Sequence, residues 1–511
     1  MRRPGAWALL GGAVSLLLAA ALFDPRLFTG GDNAAYYALA EALATGRGYV
    51  DLITPGAPPE SKYPPGFPLW LVPFWWVFGG SYVGVKLASF VAAAAALWAT
   101  WALARRDAAV PAWAAAAAVP LVGLYPTFLD YSHWVLSEMT YLAVALAALW
   151  AFARATASEP EGERAPDRWT GAWLAGLALS TAAFYVRTAG IALIAAALLA
   201  AVLARSWRRA AAAAAIAVGA GPWILWTAAH PPPTGGYLEQ LLAVDPYDPT
   251  SPTVSFAGLV GQVVVNVQIY SFDQIPRLVW PDAAPFAAAL AIALVFGALL
   301  VFGAVRAIRS RRVQVWEWAL GLSALLILVW PWTGDRFLLT VAPLLWLWAL
   351  VGLDGAAVAF TRRRWPAIAV AGALAAVLAV GAVRRVPAQW EVTRAHMEGD
   401  ALAGYSDFWT DYFEAASWIG RTAPDAVVLA RKPTFSWYWS RRPSVVYPLR
   451  YDPPATWAFI QRQRVTHVLF DGLGSTRLFL VPALDEHLDQ VGVVHSAPHR
   501  AVYVLRIEPA P

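Results

Sequence analysis

A chain of 511 residues that is 59% hydrophobic and only 14% charged, with 28 tryptophans, is far from a soluble domain, which carries roughly one quarter charged residues, and too apolar to be disordered. The net charge of +5 comes from arginines at the ends of apolar runs, where membrane topology accounts for them, so nucleic acid is not an expected partner. Cysteine is absent, which excludes disulfides, a thiol nucleophile and any cysteine-based zinc site.

In chain order, Arg2 and Arg3 precede the first apolar run, 6–23. It is long enough to span and lacks a good small-x-small cleavage site, so it reads as an uncleaved helix with its N-terminus in the cytoplasm. Further spanning helices are predicted near 82–104, 109–129, 136–153, 169–186, 188–204, 210–228, 284–305, 316–333, 337–358 and 365–383, about eleven in all. The apolar segment 64–78 is short and proline-broken and reads as an interfacial or re-entrant helix on the outer side. With these spans, Arg2, Arg3, Arg105, Arg106, Arg154, Arg164, Arg168, Arg205, Arg208, Arg209, Arg306, Arg309, Arg311, Arg312, Arg362, Arg363 and Arg364 are cytoplasmic. Only Arg26, Arg47, Lys62, Lys86, Arg187, Arg277 and Arg336 are outside before the last helix ends. The fold class is a polytopic α-helical protein of the inner or plasma membrane, in two parts. Residues 1–383 form a transmembrane module with outer loops 24–80 and 230–282, and residues 384–511 form an extracytoplasmic soluble α/β domain. In that tail a helix is expected over 411–421 and strands over 426–430, 445–447, 465–470 and 501–507. It carries no nucleophile elbow, phosphate-binding loop or dinucleotide fingerprint.

The chemistry-bearing residues gather on the outer side. Asp32, in Gly30-Gly31-Asp32-Asn33, opens a short amphipathic helix whose Tyr36, Leu39, Ala40 and Leu43 share a face suited to the membrane interface. Asp32 reads either as that helix's N-cap or as a functional carboxylate. Lys62, ahead of Tyr63-Pro64-Pro65-Gly66, reads either as a snorkelling lysine or as a fixed cation for phosphate. Glu138, in Ser137-Glu138-Met139-Thr140, sits at the outer start of a spanning helix. An acid there is stabilised by the helix dipole or faces a polar cavity or cation. His133 reads as a hydrogen-bonding loop residue or a ligand, with no metal-site spacing around it. Arg187 and Arg336 stand at outer helix ends, each paired with an acid such as Asp335 or with a headgroup. Three cations and at least two acids at one membrane depth suit a lipid-linked phosphate.

Taken together, Gly31-Asp32-Asn33 with Tyr36, Lys62-Tyr63-Pro64-Pro65-Gly66, Glu138, Arg187 and Arg336-Phe337-Leu338-Leu339 resemble, in order, the motifs of GT-C glycosyltransferases. They are similar to the protein O-mannosyltransferase-like branch, which includes aminoarabinose transferase and Rgt-type lipopolysaccharide-core glycosyltransferases. The resemblance covers roughly residues 6–350 and the plan of a periplasmic tail. Two positions depart from it: Asn33 replaces a second acid, and Met139 replaces a proline after the helix acid. The resemblance implies a polyprenyl-phosphate sugar as donor, a cell-envelope glycan, lipid or protein as acceptor, and inversion at the anomeric carbon. Asp32 is then the base, and Lys62, Tyr63, Arg187 and Arg336 hold the donor phosphate. Glu138 orients the acceptor, Arg187 or a water, and Tyr36 and His133 lie toward the acceptor. No cofactor is required; Asp32, Glu138 and His133 could meet around a divalent ion, but nothing in their spacing requires one. The rival classes are a transporter or lipid flippase, a scaffold with a periplasmic domain, and a glycan polymerase or ligase using a diphosphate-linked donor.

Overall fold

The computed structural model describes residues 4–156, 169–232, 235–247, 251–280, 285–309 and 314–508. Arg2, Arg3, Arg164, Arg168, Arg311 and Arg312, and the end of the 230–282 loop, lie outside the described residues. The chain begins with α1 (Pro4–Ala21), α2 (Asn33–Ala44), α3 (Gly66–Val77) and α4 (Tyr82–Ala104), followed by α5 (Ala112–Gly123) and α6 (Pro126–Tyr131). Next come α7 (Ser137–Thr156), α8 (Gly171–Val186), α9 (Ile191–Leu203), α10 (Trp207–Ala217) and α11 (Gly221–Ala229). The second large loop supplies α12 (Tyr237–Leu242), α13 (Phe256–Ile269) and α14 (Ile275–Arg277). The bundle is completed by α15 (Phe286–Arg309), α16 (Val315–Val329), α17 (Asp335–Leu339), α18 (Ala342–Thr361) and α19 (Trp365–Met397).

Each expected apolar segment falls on helix. Among the described residues seven helical segments are long and apolar enough to cross a membrane; α3, α5, α8, α9 and α16 are shorter apolar helices. Two expected single helices are broken where proline removes a backbone donor: Pro126 separates α6 from α5, and Pro343 opens α18 after α17. The last helix does not stop at 383 but continues to Met397, beyond the boundary drawn there between the two parts. Its extension is tied to the end of α1, because the side chains of Gln389 and Thr393 both donate to the carbonyl of Phe23.

The expectation of α2 as an interfacial helix is corrected. Asn33 to Ala40 are all buried, so protein rather than lipid surrounds it. α3 covers one side and the tail another. Alanine-rich sequence makes the helix and also lets its neighbours approach closely.

The tail contains α20 (Asp407–Thr422), β1 (Val428–Leu429), α21 (Pro433–Ser440), β2 (Ser444–Val445), α22 (Pro453–Arg462), β3 (His467–Asp471), α23 (Val481–Asp485), β4 (Val491–Ser496) and β5 (Val502–Ile507). Strand order is β2-β1-β3-β5-β4; the first three are parallel, and β5 and β4 are added antiparallel. The expected helix and four expected strands each overlap one of these elements, and β4 is additional. It is an edge strand with Val493 and Val494 exposed, so it lacks the alternation that marks a half-buried strand. The tail sits on the first loop. Ser444 N–H donates to the Ile53 carbonyl at 2.7 Å, Arg441 pairs with Glu41 at 2.8 Å, and the Tyr438 ring packs on Tyr37 and Tyr82.

Candidate active site

The linker from α1 to α2 is fixed before it reaches Asp32. Lys86, fully buried in α4, donates its ammonium protons to the carbonyls of Asp24 and Arg26, and Asp24 pairs with Arg26 at 2.8 Å. Asn33 then bonds back to the Phe28 carbonyl. Asp32 occupies the N-cap position of α2 but makes no capping bond with its side chain. Its carboxylate points instead toward Arg336 of α17, at 3.7 Å.

Glu138 is the centre of the cluster. One carboxylate oxygen, Oε1, accepts from Arg336 Nε at 2.8 Å and pairs with an Nη of Arg187 and an Nη of Arg336, each at 2.7 Å. Arg187, at the end of α8, also donates to Ser137 Oγ at 3.0 Å, and Ser137 lies 3.3 Å from the Tyr36 hydroxyl. Asp335 does not pair with Arg336; it accepts from Thr127. Exposure separates the roles. Asp32 keeps 38% of its side chain accessible, Arg336 25% and Arg187 16%, whereas Glu138 keeps none. Glu138 is thus buried between the two arginines, the arrangement expected of a residue that holds Arg187.

Tyr63, next to Lys62, reaches this cluster because α3 starts directly against the end of α8. A Cβ on Gly66 would lie 2.6 Å from the Tyr185 carbonyl oxygen, so only glycine permits the approach. Glu60 shapes the turn by accepting the backbone N–H groups of Lys62 and Tyr63; burial pushes its carboxyl up, and the two bonds pull it down. The Lys62 ammonium lies 5.3 Å from the Tyr63 ring centroid and has no carboxylate partner among the described residues. The Tyr63 and Phe67 rings pack on Tyr36, both at 4.9 Å.

His133 stands apart from this cluster. It is buried against Phe23 at 5.6 Å, and the charges around it are Lys86, Asp24 and Arg385. Three further residues join the cluster. Ser137 was within a quoted motif but had no assigned part. Tyr237 of α12 lies within electrostatic reach of Asp32, Arg187 and Glu60. Lys432 of the tail feels the charge of Asp32. Lysine is rare here, with only Lys62, Lys86 and Lys432 among the 38 basic residues, and that rarity was the available signal. Among the described residues no three His, Cys, Asp or Glu side chains gather as metal ligands, and Asp32 and Glu138 are bridged by Arg336.

No family model matches the sequence, and no curated protein is significantly similar to it. Solved structures are. ArnT from Cupriavidus metallidurans bound to undecaprenyl phosphate superposes with a TM-score of 0.56 at 16% identity, over 98% of both chains. The oligosaccharyltransferase AglB from Archaeoglobus fulgidus, in complex with an inhibitory peptide and a dolichol-phosphate, has a TM-score of 0.57 at 13% identity, over 92% of this chain and 70% of its own. The same archaeal enzyme with Zn and sulfate gives a TM-score of 0.58 at 13% identity, over 96% of this chain and 72% of its own. The chain thus has the fold of the GT-C membrane glycosyltransferases.

Proposed function

We propose that this protein is a glycosyltransferase that moves a sugar from a polyprenyl-phosphate donor to an acceptor hydroxyl on the outer face of the membrane, with inversion. The observation that carries the reading is a pair of arginines braced by a buried glutamate beside one accessible aspartate, at one end of an apolar bundle. Two acids and two arginines nearly cancel, and Lys62 adds one positive charge, which matches a singly charged phosphodiester. The neighbouring folds bound to undecaprenyl phosphate and dolichol-phosphate support this class of donor.

In the reaction the acceptor oxygen attacks the anomeric carbon while the carbon–oxygen bond to phosphate breaks. The electron pair leaves on the phosphate oxygen, and the acceptor proton passes to Asp32. Arg187, Arg336 and Lys62, with Tyr63 beside it, stabilise the charge that develops on phosphate. Because that charge is met by side chains, EDTA is expected to leave the rate unchanged. In this topology all eleven apolar segments cross, the N-terminus is cytoplasmic and the tail is outside. The arginine bias and the gathering of Asp32, Glu138, Arg187, Arg336 and the tail at one end support it. Fixed charges at helix ends, without paired mid-helix breaks, favour a transferase over a transporter.

The test is native mass spectrometry of the full chain in mild detergent beside Lys62→Ala, followed by transfer from synthetic undecaprenyl-phosphate sugars. A co-purifying polyprenyl phosphate lost in the variant is expected, and Asp32→Asn should lower transfer by roughly 10²-fold or more. Absence of lipid binding by the unaltered protein, with no turnover of any donor, would overturn the reading.

A further inference from the structure

The tail carries a crevice that faces the same site. Open α/β sheets bind ligands outside the carboxyl ends of their parallel strands, where the connections diverge. Here β1 leads to β2 on one side, and β2 leads back to β3 on the other. Beyond the carboxyl ends of these strands lie Arg431 and Lys432 after β1, Tyr447 after β2, and Asp471 at the end of β3 with Ser475 after it. Asp471 is 1% exposed; its Oδ1 accepts from Leu473 N–H and the Thr476 hydroxyl, and its Oδ2 has no partner among the described residues. Arg431 donates to Ser475 at 2.9 Å, the Tyr447 hydroxyl lies 2.8 Å from Thr476, and the Tyr412 hydroxyl donates to the Lys432 carbonyl.

Docking aims this crevice. Along α21 and α2 the pairs Tyr438–Tyr37 and Arg441–Glu41 advance together, so the two helices run in the same sense. Stepping back along both brings Lys432, just before α21, level with Asp32, just before α2. The half-buried ammonium has no ion pair among the described residues. Burial, and next the charge of Arg431, hold it below the ordinary lysine range, with Asp32 and Asp471 pulling the other way.

The geometry points to an acceptor site in this crevice, in which Lys432 and Arg431 bind an acidic group, a phosphate monoester or a carboxylate, close to the hydroxyl that receives the sugar. The assignment rests on the transferase reading above and adds to it the chemical class of the acceptor.

The experiment measures transfer of labelled sugar from a synthetic undecaprenyl-phosphate donor into native membranes by the full chain, by Lys432→Ala and by Lys432→Arg. Donor binding is followed separately by native mass spectrometry. Lys432→Ala should raise the half-saturating amount of membrane acceptor about tenfold or more while the donor still binds, and Lys432→Arg should restore most of the loss. The labelled product should be retained on an anion exchanger. Phosphatase treatment of the membranes removes acceptance if the acid is a phosphate monoester, and carbodiimide amidation removes it if the acid is a carboxylate. A neutral product, acceptor saturation unchanged in Lys432→Ala, or indifference to both treatments overturns the assignment while the transferase reading stands. An unaltered protein that neither binds nor turns over donor removes the transferase reading instead.

Discussion

At Glu138 a single oxygen pairs with two guanidinium groups and accepts a hydrogen bond from Arg336 Nε, and no part of the side chain is accessible. Removing one member of a buried ionic set leaves the others uncompensated, at a cost of about 3–5 kcal/mol. Glu138→Gln is therefore expected to lower thermal stability in detergent by about that amount and to abolish donor binding, because Arg187 and Arg336 lose the group that orients them. Retained donor binding at normal stability would show that the arginines are positioned by something else. Asp32 shows what sequence could say at this scale. The residue type and its place before a helix were legible, but the choice between cap and free carboxylate was not. That choice depends on Arg336, which lies 304 positions away, on a short helix whose placement no local pattern encodes.

Two junctions between elements matter most. Where α3 meets α8, Gly66→Ala would put a methyl group into the Tyr185 backbone, and the pair must separate. Overpacking of this kind costs typically 1–3 kcal/mol. The expected result is a modest fall in melting temperature with a larger loss of donor affinity, since Lys62 and Tyr63 move away from Arg187. A variant that binds donor normally would detach the turn from the site. The second junction is that of Lys86 with the linker before Asp32. Its charge put Lys86 among the outer cations, but it is wholly buried and satisfies two backbone carbonyls. Helices and spans were legible because hydrophobic length records them. The burial of α2 was not, because the covering element lies in another part of the chain.

At the scale of the whole molecule the tail packs on the first loop, and one of its turns is held by one acid. Asp411 of α20 is buried, yet it accepts from the backbone N–H groups of His499 and Ala501 and from the His499 ring, which locks the turn between β4 and β5. Burial pushes its carboxyl up, but these bonds outweigh it and hold the group below the usual range, while the bond to Asp411 holds His499 above its own. A depressed carboxyl stabilises the fold above its unfolded value and loses that contribution as pH falls through the folded one. A raised histidine contributes below its unfolded value and loses it as pH rises through the folded one. The turn should therefore be tightest between about pH 4 and pH 6.5. Hydrogen exchange of residues 497–501 across that range checks this. Asp411→Ala, which strands three donors, should flatten the profile and cost about 2 kcal/mol or more.

The 33 residues of α19 make a rod of about 50 Å, whereas a bilayer core is about 30 Å thick. The excess forms a mast that is helix throughout and lashed to the end of α1 by Gln389 and Thr393. A mast works as a gauge: it sets the headroom between the lipid surface and the underside of the tail, and that clearance is counted in helical turns. Excising one turn would bring the ceiling down by about 5.4 Å and narrow the range of molecules that fit beneath it.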